Sequence, residues 1–130
     1  DAARPLITTH DINRVCQCAY ENDAAVLVSK VVDTIKKCDE NGYILTTIDR
    51  TDLYCAQTPQ VFSLGLYQLA LNSNNNEYTD DAQLLESYGA NVKAVIADYE
   101  NIKLTTKNDI LIIESILKER EKADEDRSRV

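Results

Sequence analysis

The chain has 130 residues, of which 44% are apolar, so it can bury a single hydrophobic core but not two. Its formal net charge of -8 excludes a sequence-independent grip on DNA or RNA, because such binding needs a basic surface. No apolar run approaches the roughly 20 residues that span a bilayer, so we expect neither nucleic acid nor a membrane as a partner.

The first quarter of the chain predicts a helix followed by a buried strand. Thr9 is a suitable N-cap for a helix over residues 11–21, which carries one apolar stripe. Residues 24–28 form a short, wholly apolar run, and such a run is typical of a strand that is buried on both faces. We therefore expect this helix to pack on a sheet that contains the strand.

A β-hairpin is predicted next. Residues 32–37 and 43–48 are rich in strand formers, and Asn41-Gly42 between them is a strong hairpin turn. The hairpin is mostly polar, and an isolated pair of strands is marginally stable. We therefore expect it to lean on another chain.

The second half of the chain continues the alternation of strands and helices. We expect a strand over residues 53–58 that Pro59 stops, a helix that Ser63 starts, and a solvated loop over residues 72–76. Thr79 is the expected cap of a helix over residues 80–88 that ends at Gly89. Residues 92–97 predict another buried strand.

The end of the chain predicts a short extended piece, a helix and a charged tail. The extended piece covers residues 102–104, and Thr106 with Asp109 forms a near capping box for the helix that follows. From Lys118 onward almost every residue is polar, which predicts a frayed or disordered tail over residues 118–130. The whole pattern predicts an α/β fold with a partial open sheet.

Several kinds of site are excluded by the residues present. The three glycines are too far apart to form a phosphate-binding loop, and the single histidine, His10, argues against a Ser-His-Asp triad. The four cysteines lack paired C-x₂-C spacing, so we expect reduced thiols and no zinc site.

What remains is a set of short polar motifs near the ends of the predicted strands, where open α/β sheets bind ligands. In chain order they are Asp1-Ala2-Ala3-Arg4-Pro5, Asp33-Thr34-Ile35-Lys36, Asp49-Arg50, Ala56-Gln57-Thr58-Pro59-Gln60, Tyr78-Thr79-Asp80-Asp81-Ala82 and Glu100-Asn101-Ile102-Lys103-Leu104-Thr105. Together they closely resemble the C-terminal half of the 2-C-methyl-D-erythritol 4-phosphate cytidylyltransferase family. The resemblance covers residues 1–117.

The resemblance implies a Rossmann-like fold of the nucleotide-diphospho-sugar transferase type, with a projecting hairpin arm over about residues 31–55 that interlocks two subunits. It also implies an enzyme of non-mevalonate isoprenoid precursor synthesis, cytoplasmic or, in a plant or alga, plastidic. That enzyme transfers the cytidylyl group of CTP to 2-C-methyl-D-erythritol 4-phosphate, releases diphosphate and uses Mg²⁺. The family's glycine-rich nucleotide loop belongs to its N-terminal half, so we expect these 130 residues to be inactive alone.

The resemblance also assigns roles to individual residues. Lys103 and Arg50 would be catalytic, and Asp1 would hold the metal. The substrate-binding residues would be Arg4, Thr34, Arg50, Thr58, Thr79 and Lys103, with Thr34 and Arg50 reaching into the neighbouring subunit.

Two alternatives stay open on the sequence. A ribitol 5-phosphate cytidylyltransferase shares the fold, the arm and the reaction type, and the choice between two polyol phosphates rests on a few hydroxyl contacts. The chain could instead be a non-catalytic half that dimerises through the arm.

Overall fold

Four helices and five strands make up the described part of the chain, which a computed structural model gives for residues 3–73, 77–97 and 99–128. Asp1, the predicted metal ligand, and residues 74–76 of the predicted loop lie outside it. In chain order the elements are α1 (Thr9–Asn22), β1 (Ala24–Lys30), β2 (Ile35–Cys38), β3 (Ile44–Ile48), β4 (Tyr54–Phe62), α2 (Leu64–Ser73), α3 (Asp81–Ser87), β5 (Lys93–Ile96) and α4 (Lys107–Ser128).

The strand β1 lies at the centre of a three-stranded sheet of order β4-β1-β5. It pairs antiparallel with β4 and parallel with β5, and its first six residues are buried. Because successive side chains of a strand point to opposite faces, Ala25 and Leu27 pack against Val15 of α1, while Ala24 packs with Ala70 of α2 and with α3. The result is an open sheet between helices, which confirms the predicted α/β fold.

The strand β4 does not stop at Pro59, so that prediction was wrong. It continues to Phe62, and its pairing with β1 shifts register between the pairs Val26–Gln60 and Val28–Ala56. The shift leaves residues 57–59 opposite Leu27 alone, which is a β-bulge on an edge strand of the described sheet. A proline is tolerated there because a residue in a bulge does not need to donate a backbone hydrogen bond to the neighbouring strand, and proline has no N–H to donate.

Two predicted helix caps are displaced by one residue. The cap of α1 is Thr8, whose Oγ1 accepts a hydrogen bond of 3.1 Å from the Asp11 amide, and not Thr9. The cap of α3 is Asp80, whose carboxylate accepts a bond of 2.9 Å from the Gln83 amide, and not Thr79. In both places adjacent residues are good caps, and only the backbone conformation decides between them.

The helix α2 begins after Ser63, as predicted, because the Ser63 hydroxyl accepts a bond of 3.3 Å from the Leu66 amide. It runs on to Ser73, so the first two residues of the predicted loop over residues 72–76 are helical. Gly89 follows α3 with a φ of 92°, a conformation that glycine adopts at little cost, as its predicted place at the helix end requires.

The predicted hairpin is confirmed and forms a separate sheet of two strands, β2 and β3. Ile35 pairs with Ile48 and Lys36 with Thr47, and Gly42 in the turn has a φ of 87°. Nearly all of its side chains are exposed, including Tyr43 at 73% and Ile44 at 63%. The hairpin therefore buries little against the rest of its own chain.

The helix α4 continues through the segment for which the sequence predicted a frayed or disordered tail, and it ends at Ser128. Residues 102–104, predicted to be extended, belong to no strand. Lys, Glu, Arg and Ala are strong helix formers, and Arg120 ties the helix down by donating to the Leu6 carbonyl at 3.0 Å and to Glu100 at 2.7 Å. Within the described residues, no helix is long and apolar enough to cross a membrane.

A carboxylate at the start of α4 makes the free energy of unfolding depend on pH in acid. The Asp109 carboxylate accepts bonds from the amides of Thr105 and Thr106 at 2.8 and 2.6 Å, and these bonds lower its pKa from 3.8 to about 2. The stabilisation is therefore fully present above pH 3.8 and is lost as the pH falls towards about 2.

We predict that Asp109→Asn removes this part of the acid dependence. Urea unfolding at a series of pH values below about 5 measures it, with the exposed Asp52→Asn as the matched control. The assignment would be contradicted if the unfolding free energy decreased as steeply with falling pH in the Asp109 variant as in the unchanged protein.

Candidate functional site

A pocket of about 400 Å³ opens where β4, the start of α3 and the loop after β5 meet. Its lining consists of Thr58, Pro59, Gln60, Thr79, Asp80, Asp81 and Lys103. The bulge of β4 and the residue after it supply Thr58, Pro59 and Gln60. The N-terminal end of α3 supplies the residues from Thr79 to Asp81, and the segment after β5 supplies Lys103. Three residues that the sequence singled out for substrate binding, Thr58, Thr79 and Lys103, thus share one pocket.

Arg4 lies beside this pocket. It lines a smaller cavity of about 180 Å³ together with Ile7, Ile12, Thr58 and Pro59, so the two spaces share the Thr58–Pro59 segment. Its Nη1 donates to the Asn101 carbonyl at 2.5 Å, and partial burial lowers the pKa of its guanidinium. Arg4 is therefore held next to Thr58 by the loop that carries Lys103.

The two carboxylates of the pocket are both engaged by protein donors. Asp80 accepts from the Gln60 side chain and from the Gln83 amide, each at 2.9 Å. Asp81 accepts from the Tyr67 hydroxyl at 3.1 Å, and this bond, together with the charge of Asp81, raises the pKa of Tyr67. The described residues hold no group of three or more His, Cys, Asp or Glu side chains that could bind a metal ion.

The Thr79 hydroxyl is also committed. Its Oγ1 donates to Gln83 Oε1 at 2.9 Å, and the Thr79 amide donates to the same oxygen at 2.8 Å. Because a hydroxyl has a single hydrogen, Thr79 can donate to a ligand only by turning away from Gln83. The amide bond would still hold the Gln83 side chain in place.

Thr34 and Arg50 stand outside both cavities. Thr34 immediately precedes β2, Arg50 follows β3, and both are exposed. Next to Arg50, Asp49 accepts bonds from the amide and hydroxyl of Thr51 at 2.9 and 2.7 Å, which lower the pKa of Asp49. Within this chain the hairpin residues therefore do not join the pocket.

The comparison with known families identifies the chain. A family model described as IspD, 2-C-methyl-D-erythritol 4-phosphate cytidylyltransferase, matches residues 1–119. The chain belongs to this family.

Relatives in the 2-C-methyl-D-erythritol 4-phosphate cytidylyltransferase family are longer than this chain. A protein of that name from Endomicrobium trichonymphae is 44% identical over 119 residues, which cover 91% of this chain and 54% of the relative. One from Pelotomaculum thermopropionicum is 41% identical over 127 residues, covering 93% and 52%. The chain thus spans about half the length of the relatives that it matches.

Solved structures of the family share the fold described above. The 4-diphosphocytidyl-2C-methyl-D-erythritol synthase of Anaerococcus prevotii superposes with a TM-score of 0.80 at 31% identity, covering 91% of this chain and 56% of that one. A further crystal structure with the same enzyme name has a TM-score of 0.77 at 35% identity, covering 90% and 54%.

Sequence reasoning missed the residues that hold the walls of the pocket together. Gln60 bridges β4 to α3, since its side chain donates to Asp80 and accepts from the Ala82 amide at 3.0 Å. Gln57 accepts from Asn101 at 2.8 Å. Both glutamines lie in a motif that the sequence analysis quoted, but side-chain bonds over 20 to 44 positions have no local pattern that reveals them.

Proposed function

We propose that this chain supplies the acceptor-binding half of an enzyme that transfers a cytidylyl group from CTP to 2-C-methyl-D-erythritol 4-phosphate. The observation that carries the proposal is the meeting of Thr58, Thr79 and Lys103 in one pocket of a chain that belongs to this family. Its soluble phosphate substrates suit a reaction in the cytoplasm, or in the plastid of a plant or alga.

In the proposed reaction an oxygen of the acceptor phosphate attacks the α-phosphorus of CTP. The new bond joins that oxygen to phosphorus, the bond between the α-phosphorus and its bridging oxygen breaks, and diphosphate leaves with the bonding electrons. No protein atom forms a covalent bond. Catalysis therefore depends on positioning and on neutralising the charge of phosphates that approach one another.

The pocket contains too little positive charge for this task by itself. Lys103 is the sole cation among the lining residues of the described pocket, and Asp80 and Asp81 are two anions. Their oxygens point to protein donors, which weakens but does not cancel their repulsion of a phosphate. Further cations are required from outside the pocket.

Mg²⁺ is one such cation in the proposal. It is commonly bound by one or two carboxylates together with substrate phosphates, so a single carboxylate such as Asp1 fits its needs. The metal would neutralise phosphate oxygens. Arg4, which lies beside Thr58, would bind or orient the substrate.

Arg50 is the second cation in the proposal, and it would come from a partner copy of the chain. The hairpin exposes Tyr43, Ile44 and Leu45 at 73%, 63% and 59%, so it has an apolar surface for another subunit to cover. A homodimer that exchanges these arms would carry Thr34 and Arg50 to the partner's pocket. A hydroxyl and a guanidinium fork suit an acceptor phosphate.

The nucleotide would be bound by residues that are not among these 130. Gly42, Gly65 and Gly89 are 23 and 24 positions apart, so they form no glycine-rich loop around a phosphate. We therefore expect the chain alone to turn over no CTP.

We predict that Lys103→Ala in a full-length enzyme containing this chain lowers kcat about 100- to 1,000-fold, since it removes one placed charge. Diphosphate release from CTP measures it, with methylerythritol phosphate and ribitol 5-phosphate supplied as acceptors in separate assays. The exposed Lys107→Ala is the matched control. A normally folded Lys103 variant with the kcat of the unchanged enzyme would contradict the role, and faster reaction with ribitol 5-phosphate would reassign the acceptor.

We predict that two inactive full-length variants, Arg50→Ala and Lys103→Ala, recover activity when their subunits are mixed. With crossed arms, a mixed dimer has one site with both lesions and one site with neither. The mixture is assayed for diphosphate release after subunit exchange has been verified by mass spectrometry. No recovery would show that Arg50 does not act across subunits, and an unchanged enzyme that dimerises without turnover would favour a non-catalytic pairing protein.

A further inference from the structure

The segment that carries Lys103 has no regular secondary structure. Residues 101–105 belong to neither a helix nor a strand, and Lys103 itself is exposed. A cation that must face a phosphate needs a fixed backbone, because a displacement of about 1 Å can cost about 100-fold in rate. The side-chain contacts of this segment therefore decide where Lys103 lies.

Asn101 fastens the segment to the bulge of β4. Its side chain is almost fully buried, the residue being 2% exposed. Its Nδ2 donates to Gln57 Oε1 at 2.8 Å and to the Thr58 carbonyl at 3.1 Å. Both N–H groups of the amide are thus used, and both point at the strand that forms one wall of the pocket.

The backbone around Asn101 is tied to the opposite side as well. The Asn101 carbonyl accepts from Arg4 Nη1 at 2.5 Å, and the Leu104 amide donates to the Ala3 carbonyl at 2.7 Å. Asn101 therefore bonds directly to two of the proposed substrate residues, Arg4 and Thr58, and lies two positions from another of them, Lys103.

These contacts leave some polar atoms buried without a partner. In the part of the chain that the structure describes, Asn101 Oδ1 and Arg4 Nε have no hydrogen-bond partner. A buried polar atom without a partner costs free energy, and Asn101 carries this cost at Oδ1 while its two N–H groups bond to Gln57 and to the Thr58 carbonyl. The polar network is more readily explained by a need for defined geometry.

We propose that Asn101 is a positioning residue for cytidylyl transfer. It holds Arg4, Thr58 and Lys103 in one geometry through its side-chain amide and its backbone carbonyl. This inference rests on the proposed function. Asn101 acts on methylerythritol phosphate only through the residues that it holds. Its loss should therefore weaken the reaction with methylerythritol phosphate and leave CTP binding unchanged.

The main test is Asn101→Asp in a full-length enzyme containing this chain. The substitution keeps the shape of the side chain but replaces its two N–H donors by an acceptor, which then faces the oxygens of Gln57 and Thr58. We expect kcat/KM for methylerythritol phosphate to fall about 10- to 100-fold. The KM for CTP should not change, and the Leu104 amide should exchange its hydrogen faster.

The exposed Asn108→Asp is the matched control, since it adds the same charge seven positions along the chain, and it should leave the kinetics unchanged. A second variant, Gln57→Met, removes one hydrogen-bond acceptor, Gln57 Oε1, without changing any charge. It should lower kcat/KM for methylerythritol phosphate about 2- to 10-fold, because one neutral hydrogen bond is lost. This variant also serves if Asn101→Asp does not fold.

The inference is overturned if the folded variants lose melting temperature but keep the acceptor kinetics of the unchanged enzyme. It is also overturned if the KM for CTP rises as much as kcat/KM for methylerythritol phosphate falls, because that pattern indicates general damage. Failure of the proposed function itself is distinguishable, since the unchanged enzyme would then release no diphosphate from CTP and methylerythritol phosphate.

Discussion

The burial of β1 on both faces is the constraint on which the rest of the structure depends. Its residues from Ala24 to Ser29 are withdrawn from water, so helices must cover both sides of the sheet. With β4 on one edge and β5 on the other, the bulge of β4 and the segment after β5 come together near the carboxyl end of β1. Open α/β sheets bind their ligands at this end of the strands.

The bulge of β4 converts this packing into a site. An uninterrupted strand would alternate its side chains between the two faces, whereas the bulge redirects residues 57–59. Gln57 then meets Asn101, while Thr58 lines the pocket and Gln60 reaches the start of α3. One irregularity in an edge strand therefore fixes two walls of the pocket, and the hairpin, which shares none of these contacts, can serve a different surface.

The sequence predicted the features that depend on local chemistry. The apolar run of β1, the Asn41-Gly42 turn and the Thr106–Asp109 cap each follow from neighbouring residues. Predictions failed where a partner far along the chain decides the outcome. The strand β4 continues through Pro59 because of its register with β1, and α4 is extended past Leu117 with Arg120 bound to Leu6. The bonds of Asn101 over 43 and 44 positions were not predicted at all. The polar motifs indicated the pocket-lining residues only through a family resemblance, because the lining comes from three motifs that are far apart in the sequence.

The central claim is that the pocket between β4, α3 and the segment after β5 binds the acceptor phosphate. The most direct measurement is a titration of the ¹⁵N-labelled chain with methylerythritol phosphate, followed by NMR, with inorganic phosphate as the reference ligand. The account predicts saturable shifts at the amides of Gln60, Thr79 and Lys103 that are larger for methylerythritol phosphate than for inorganic phosphate. Saturable shifts confined to another surface, such as the groove of α1 that includes His10 and Arg14, would contradict it.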